Sequence, residues 1–413
     1  MNVTAYDLIV VGGGPAGMMA AGRAAERGRR VLLLESGPSV GRKLLLTGGG
    51  RCNVTNTAEL PDFLAAFGRT GGFLRTALTH FGNGEMRRWL KDRGVETVVE
   101  ENGCVFPAAG NARSVLNVLT AYLAQGGAQV RVECRGAGLV VEGGRLVGVS
   151  ANEERFEAGR VLLACGGLSY PQTGSTGDGY ELARQAGHRI VPTYAAVCGL
   201  ETREGWPRRL QGTPAGRLAV RVVGRRERTL ASATGDGLWT HFGVSGPAIL
   251  DVSYAAVLAL RKEDEVILEL DMVPDETQDG LTAWLRASAE TRGKRTFQTV
   301  LAERVPARTA AILLELGGVD GGTPMAHCTR EARTALVELL KRLSLRVAGA
   351  RPVAGAIVTG GGVDLAEVDA ANMESKLLPE LHLAGEVLDL QALCGGFNLQ
   401  AAFSTGRLVG DAV

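Results

Sequence analysis

The chain has 413 residues, too many for one small core and enough for two or three domains. Its 45% hydrophobic and 22% charged composition is that of a globular protein, and the 58 glycines fall mostly in short clusters, as turn and phosphate-loop chemistry requires. With 45 basic against 44 acidic residues, no global field draws the chain to nucleic acid or to an anionic membrane, and neither is expected as a partner.

Tyr6–Val11 is a short apolar, β-branched run that reads as a buried strand. Gly12–Gly17 follows directly, then an Ala-rich helix over Met18–Arg27, and a second buried strand at Val31–Leu34 closed by Glu35. Ser36–Asn56 is a polar, Gly-rich loop. Helices are expected over Phe63–Thr79, Glu85–Arg93 and Ala112–Gln125. Strands are expected at Val130–Glu133, Gly138–Glu142, Leu146–Ser150 and Val161–Ala164. From about Ile190 to Asp271 short alternating runs separated by Gly and Pro predict a β-rich segment, and Thr277–Leu345 reads as helical, with Leu301, Val305, Ile312 and Leu316 near helical spacing. Strand and Gly turn return at Ala356–Val363, and Leu399–Val409 reads as a last helix. Neither an internal repeat nor a low-complexity segment is evident.

Two short basic runs, Arg208–Arg209 and Arg225–Arg226 with Arg228, read as solvated faces ahead of anion sites. Seven cysteines, none in Cys-x-x-Cys spacing, argue against a disulfide framework or zinc knuckle and for a reducing compartment. His80, His188, His327 and His382 lack metal-ligand spacing, so no metal is expected. Met1–Tyr6 lacks a basic region ahead of an apolar stretch, which is not a signal peptide, and no apolar run approaches bilayer length. The expected location is the cytoplasm.

Gly12-x-Gly14-x-x-Gly17 between strand and helix, with Glu35 at the right distance, is a dinucleotide fingerprint in its full context. Gly12 permits the tight turn, Gly14 lets backbone approach a pyrophosphate, and Gly17 lets helix and strand pack closely; Ala16 is expected among the cofactor-binding residues of the same loop. Free N–H groups of the helix start face the phosphate charge. A carboxylate at Glu35 accepts from a ribose hydroxyl and repels a 2′-phosphate, favouring FAD or NAD over NADP. The loop alone does not separate the first two.

The next loop, Gly41-Arg42-Lys43-Leu44-Leu45-Leu46-Thr47-Gly48-Gly49-Gly50-Arg51-Cys52-Asn53-Val54-Thr55-Asn56, closely resembles the signature of a bacterial family of NAD(P)/FAD-dependent oxidoreductases. That family includes aminoacetone-oxidase-like and BaiN-like, bile-acid-inducible flavoproteins. Ser169–Tyr180, Thr240–Pro247, Asn372–Lys376 with Ala384–Asp389, and Gly395–Gln400 match as well, so the resemblance spans essentially the whole chain. It implies FAD and an α/β fold: a discontinuous Rossmann-type FAD domain (residues 1–189 and 351–413) with an inserted β-rich (190–273) and helical (274–350) domain. It also implies that Arg42, Lys43, Gly50, Arg51, Cys52 and Asn53 line the cofactor. Gly166, Gly167, Gly177 and Asp178 would follow its path, and Gly385, Glu386, Asn398, Leu399 and Gln400 would approach the isoalloxazine. Family members usually carry a polar, Gly-containing turn after the Asp. Here Leu390-Gln391-Ala392-Leu393-Cys394 stands there, and Phe397 replaces a Tyr, so the resemblance fixes neither the pocket nor the substrate.

Three residues are candidates for catalysis. Arg51 either holds a carboxylate or carbonyl oxygen of a substrate or balances the pyrophosphate. Tyr170 either donates a proton or is a buried Tyr with a satisfied hydroxyl. His241, in a Gly- and Ser-rich turn, is either an acid or base or a structural hydrogen-bonded residue. Cys52 reads as a small packed residue, because no resolving Cys is near. The N–H groups opening a helix at Gly396–Leu399 suit negative charge on a flavin, and an ordinary Asn cap predicts the same residues.

The expected activity is passage of a hydride from NAD(P)H through FAD to a small organic acceptor carrying an activated C=C or carbonyl. With no second fingerprint, NAD(P)H would bind transiently against the flavin. Oxidation of an amine or alcohol by oxygen, or a non-catalytic flavin-dependent regulator, are the alternatives. The sequence is silent on oligomeric state.

Overall fold

The computed structural model describes residues 5–262 and 265–413; residues 1–4, which begin the segment read above as no signal peptide, lie outside the described residues. Contacts divide the chain into two compact units: the residues up to Tyr194 together with Val353–Val413, and Ala195–Pro352.

The first unit is built on five parallel strands, β1 (Leu8–Val11), β2 (Val31–Leu34), β3 (Gln129–Arg131), β4 (Val161–Leu163) and β5 (Leu381–Leu383), in the order β5-β4-β1-β2-β3. Strands β1, β2, β4 and β5 are buried along their whole length, as a parallel sheet covered on both faces demands, and their near-continuous Val, Ile and Leu supply that apolar surface. Helices α1 (Pro15–Glu26), α2 (Ala112–Gly126), α3 (Asp178–Gln185) and α4 (Phe397–Ala412) belong to the same unit. Small residues let α1 and α4 touch backbone to backbone: a methyl on Gly406 would lie 2.2 Å from the Ala16 carbonyl oxygen, and one on Gly410 would lie 2.7 Å from that of Ala20.

The second unit is a closed antiparallel barrel. Its six strands run Leu200–Thr202, Gly243–Ser245, Thr229–Trp239, Pro214–Val223, Ile267–Asp271 and Leu343–Ala350, the last pairing back to the first. Helices Gln278–Thr291, Phe297–Leu301, Ala307–Leu316 and Arg330–Lys341 fall between its last two strands in sequence. Trp239 fastens helices to barrel: it is fully buried and donates to the Thr309 hydroxyl at 3.1 Å, with Trp206 edge-on at 5.0 Å.

The architecture is the Rossmann-type α/β fold with a further β-rich and helical region expected above. Individual elements differ. Phe63–Thr79 is not one helix but Leu60–Ala65, a 3-10 segment Gly68–Leu74 and Arg75–His80. Gly68 takes a left-handed φ of 58° and Gly71 lies against the Leu64 carbonyl, so the helical path breaks there. Pro247–Leu260 is a helix inside the stretch read as β-rich; Pro at its first turn starts it, and its apolar run lacks strand alternation. The helical reading ends too late, because Leu343–Ala350 alternates buried and exposed as a strand.

Candidate functional site

The turn from β1 into α1 is shaped by close approaches. Gly12, at φ 108°, would place a methyl 2.5 Å from the Ala164 carbonyl oxygen, and a methyl on Gly17 would meet the Gly12 carbonyl at 2.0 Å. Nothing lies within 4 Å of where a methyl on Gly14 would point, so the loop leaves open space in front of the helix start. No side chain caps α1, and Pro15 occupies its first position; Ala16 and Gly17 complete the uncapped turn. The buried Glu35 carboxylate accepts from Gly13 N at 2.8 Å and Gly37 N at 2.7 Å. An open anion-binding helix start beside a fixed carboxylate fits the pyrophosphate and ribose of a dinucleotide.

The following loop folds as a 3-10 segment, Leu44–Gly50, in which Gly48, Gly49 and Gly50 are left-handed. Arg51 closes it. Its guanidinium lies 4.0 Å above the Phe106 ring, pairs with Glu100 at 2.7 Å, and remains half exposed. Next to it Cys52 is buried in a left-handed conformation. Burial pushes its thiol up to about 12, against a smaller opposing hydrogen bond from Thr47, so Cys52 stays a protonated packing residue at neutral pH. Asn53 accepts from Val105 N at 3.2 Å, which ties the loop to the strand Cys104–Pro107. Arg42 reaches back to Gly37, where a methyl would sit 3.0 Å from its Nη1. Lys43 pairs with Glu386 at 2.7 Å. The second Glu386 oxygen accepts from Thr359 N at 2.9 Å, and the Thr359 hydroxyl accepts from Leu168 N and Ser169 N.

Gly166 and Gly167 lead from β4 into this network: Gly166 is left-handed at φ 72°, and Gly167 is pressed on the Thr359 side chain. Gly177 is the left-handed N-cap of α3. The Asp178 carboxylate is held by Arg135 through two bonds, 2.7 and 2.5 Å. From the C-terminal side, left-handed Gly385 donates its N–H to the Thr405 hydroxyl at 3.1 Å. Gly396 caps α4 without a side-chain bond and lies against the Thr55 carbonyl and Asn53. Two side chains near it are already engaged. Asn398 bonds both N and O of Ala392, and Gln400 donates to the Phe81 carbonyl and to Ser404. What Asn398 and Leu399 offer outward is thus the uncapped backbone of the helix start, whereas the Gln400 N–H is already bonded to the Gly396 carbonyl at 3.1 Å.

Tyr170 adopts a left-handed φ of 55°, with its N–H bonded to the Ala354 carbonyl and its hydroxyl without a partner among the described residues. His241 belongs to the second unit, where it is exposed with Phe242 edge-on at 5.0 Å. The first unit therefore assembles Gly12–Gly17, Glu35, Arg42–Asn53, Gly166–Asp178 and Gly385–Gln400 without His241. Glu100, Phe106, Arg135 and Thr359 escaped sequence reading, since each acts through a partner distant in sequence. No helix of the described residues is long and apolar enough to cross a membrane.

The dinucleotide loop and the fixed Glu35 agree with what the comparisons give as the class: the chain is an FAD-dependent oxidoreductase. More closely, residues 6–412 match the family model described as HI0933-like protein Rossmann domain, and the chain belongs to that family. It is similar to a 3-dehydro-bile acid delta(4,6)-reductase of Clostridium scindens, 31% identical over 98% of this chain and 98% of the relative. It is similar also to a ribosomal RNA dihydrouridine synthase of Escherichia coli strain K12, 28% identical over 97% and 96%. In fold it resembles 3-ketosteroid delta1-dehydrogenase from Sterolibacterium denitrificans, with TM-score 0.57 and 15% identity over 99% of both chains.

Proposed function

We propose that the protein passes a hydride from NADH or NADPH to a small organic acceptor, saturating a C=C bond conjugated to a carbonyl. The observation that carries this reading is Arg51: a half-exposed guanidinium, fixed flat on Phe106 and by Glu100, in the loop that lines the proposed flavin face. Such a cation suits the oxygen that gains charge when hydride adds to the far end of a conjugated C=C–C=O unit. The name of one full-length relative, a 3-dehydro-bile acid delta(4,6)-reductase, supports a small acceptor, and that of another, a ribosomal RNA dihydrouridine synthase, makes an RNA base the alternative acceptor.

When bound, FAD supplies the hydride chemistry; the protein orients the reactants and stabilises charge. Arg51 holds the acceptor oxygen. Tyr170, left-handed in its backbone and with no hydroxyl partner among the described residues, supplies the proton to the carbon next to the carbonyl. Hydride and proton together account for the two electrons and two hydrogens added. Lys43 with Glu386, and Glu35, hold the cofactor, and NAD(P)H binds transiently against it.

The test is an anaerobic visible spectrum with NADH and with NADPH, followed by conjugated enones as acceptors. Bleaching by nicotinamide and recovery by an enone are expected. The Arg51→Ala variant should keep its flavin and its bleaching while losing acceptor turnover by roughly a hundredfold. Equal loss of flavin content and turnover would remove Arg51 from the acceptor.

A further inference from the structure

Three separate pieces of chain converge on Glu35. The first is the end of β2 itself, with Ser36 and Gly37. The second is the segment after β3: Glu133 N bonds to the Gly37 carbonyl and Cys134 N to the Glu35 carbonyl, each at 2.9 Å. The third is the turn before α3, where a methyl on left-handed Gly174 would lie 3.4 Å from Glu35 Oε1 and 3.5 Å from Ser36 Oγ. The second piece holds the Glu35 backbone and the third lies beside its carboxylate, and a side-chain pair joins them: Arg135, one residue past Cys134, bonds both oxygens of Asp178, the first residue of α3.

The chemistry makes this pair firmer than an ordinary surface contact. Bidentate Arg–carboxylate geometry fixes two planes at once, and Asp178 at the N-terminal end of α3 gains from the helix dipole. Asp178 is only one-fifth exposed, although Arg135 is two-thirds exposed. Both oxygens of its carboxylate, expected from the sequence to lie along the cofactor's path, are bonded to Arg135.

We propose that Arg135 and Asp178 form a strap over the adenosine end of the cofactor groove, which slows release of FAD without touching the flavin. This rests on the FAD reading of the groove and on Glu35 as its ribose acid. The residues are positioning residues: they hold the two flanks together around the ribose.

The experiment compares the flavin-loaded wild type with Arg135→Ala, Arg135→Lys, Asp178→Asn and the Arg135→Ala/Asp178→Asn double variant. Release of FAD is followed by the rise in flavin fluorescence after dilution, binding of FMN to the stripped protein by quenching, and melting of the stripped protein by circular dichroism. Each Ala or Asn variant should release FAD roughly two- to fivefold faster, the gain typical of a well-made exposed ion pair, with Arg135→Lys between them and wild type and the double variant no faster than either single one. Affinity for FMN, which lacks the adenosine, should not move, nor should melting of the stripped protein. Unchanged FAD release overturns the strap. So does equal weakening of FAD and FMN, or a fall in apoprotein melting, which makes the pair a general brace. A wild-type protein that takes up no flavin at all overturns the cofactor reading itself, a result separable from the others.

Discussion

His382 lies in the middle of β5, almost fully buried, with Nδ1 donating to the Asn372 carbonyl at 3.2 Å and Nε2 without a hydrogen-bond partner. Burial lowers its pKa from 6.5, and the Asn372 carbonyl and Glu374 only partly oppose this. The sign follows. The fold holds the neutral ring, the unfolded chain protonates as the pH drops below 6.5, and stability is lost from there downward until the folded pKa is reached. Urea midpoints measured between neutral and mildly acidic pH should show this loss, at a slope of up to about 1.4 kcal/mol per pH unit from this group. His382→Asn, which keeps a donor for Asn372, should lose that component; an unchanged pH slope would place the acid sensitivity elsewhere. At this scale the sequence was legible where chemistry is local. Gly12, Gly14, Gly17 and Glu35 sit within one turn and one strand, so their spacing carries the loop. Arg51 was legible as a residue, but its partners Glu100 and Phe106 were not, because long-range bonds from Asn53–Asn56 to Cys104–Pro107 bring that strand to the loop.

Among elements, the α1–α4 contact decides most. It depends on residues with no side chain to spare, and Gly406 is the tightest, since its neighbour is backbone that cannot rotate away. Gly406→Ala should destabilise the protein by about 1–3 kcal/mol, the range for forcing an extra carbon into a packed core, and should lower flavin retention because α4 presents the Gly396–Gln400 backbone. Thermal melting with and without added FAD checks both; a variant as stable as wild type would mean that the helices separate freely. The last helix was legible from its apolar spacing, though its start at Phe397 lies two residues before the expected one. Strand β5 was not expected: three residues with a central His carry too little pattern, and only parallel pairing to β4 makes Leu381–Leu383 a strand. The helix Pro247–Leu260 was missed for the opposite reason, an apolar run without period among Gly-flanked strands.

On the scale of the molecule, the second unit closes its own hydrogen bonding. Each of the six barrel strands pairs with two others between Leu200 and Ala350, so the barrel's ladders are internal to the second unit. Residues 195–352 expressed alone should be soluble and unfold cooperatively, and should carry no flavin, as followed by circular dichroism and absorbance. An unfolded fragment would show that the barrel needs the first unit. The presence of a β-rich insertion was legible from texture and from family resemblance, whereas closure into a barrel was not, because strand order is set by long-range pairing that no local pattern encodes.

The discontinuity of the first unit sets an order of events in synthesis. Strand β1, with the phosphate loop, is made before the barrel, whereas β5 and α4, which packs on α1, come only after the whole barrel has been translated. The nascent protein therefore holds its fingerprint loop, with α1 still lacking its α4 neighbour, while a contiguous barrel has every residue it needs to fold. The two stretches of the first unit first coexist once α4 has been made, so that unit is completed later than the barrel inserted within it.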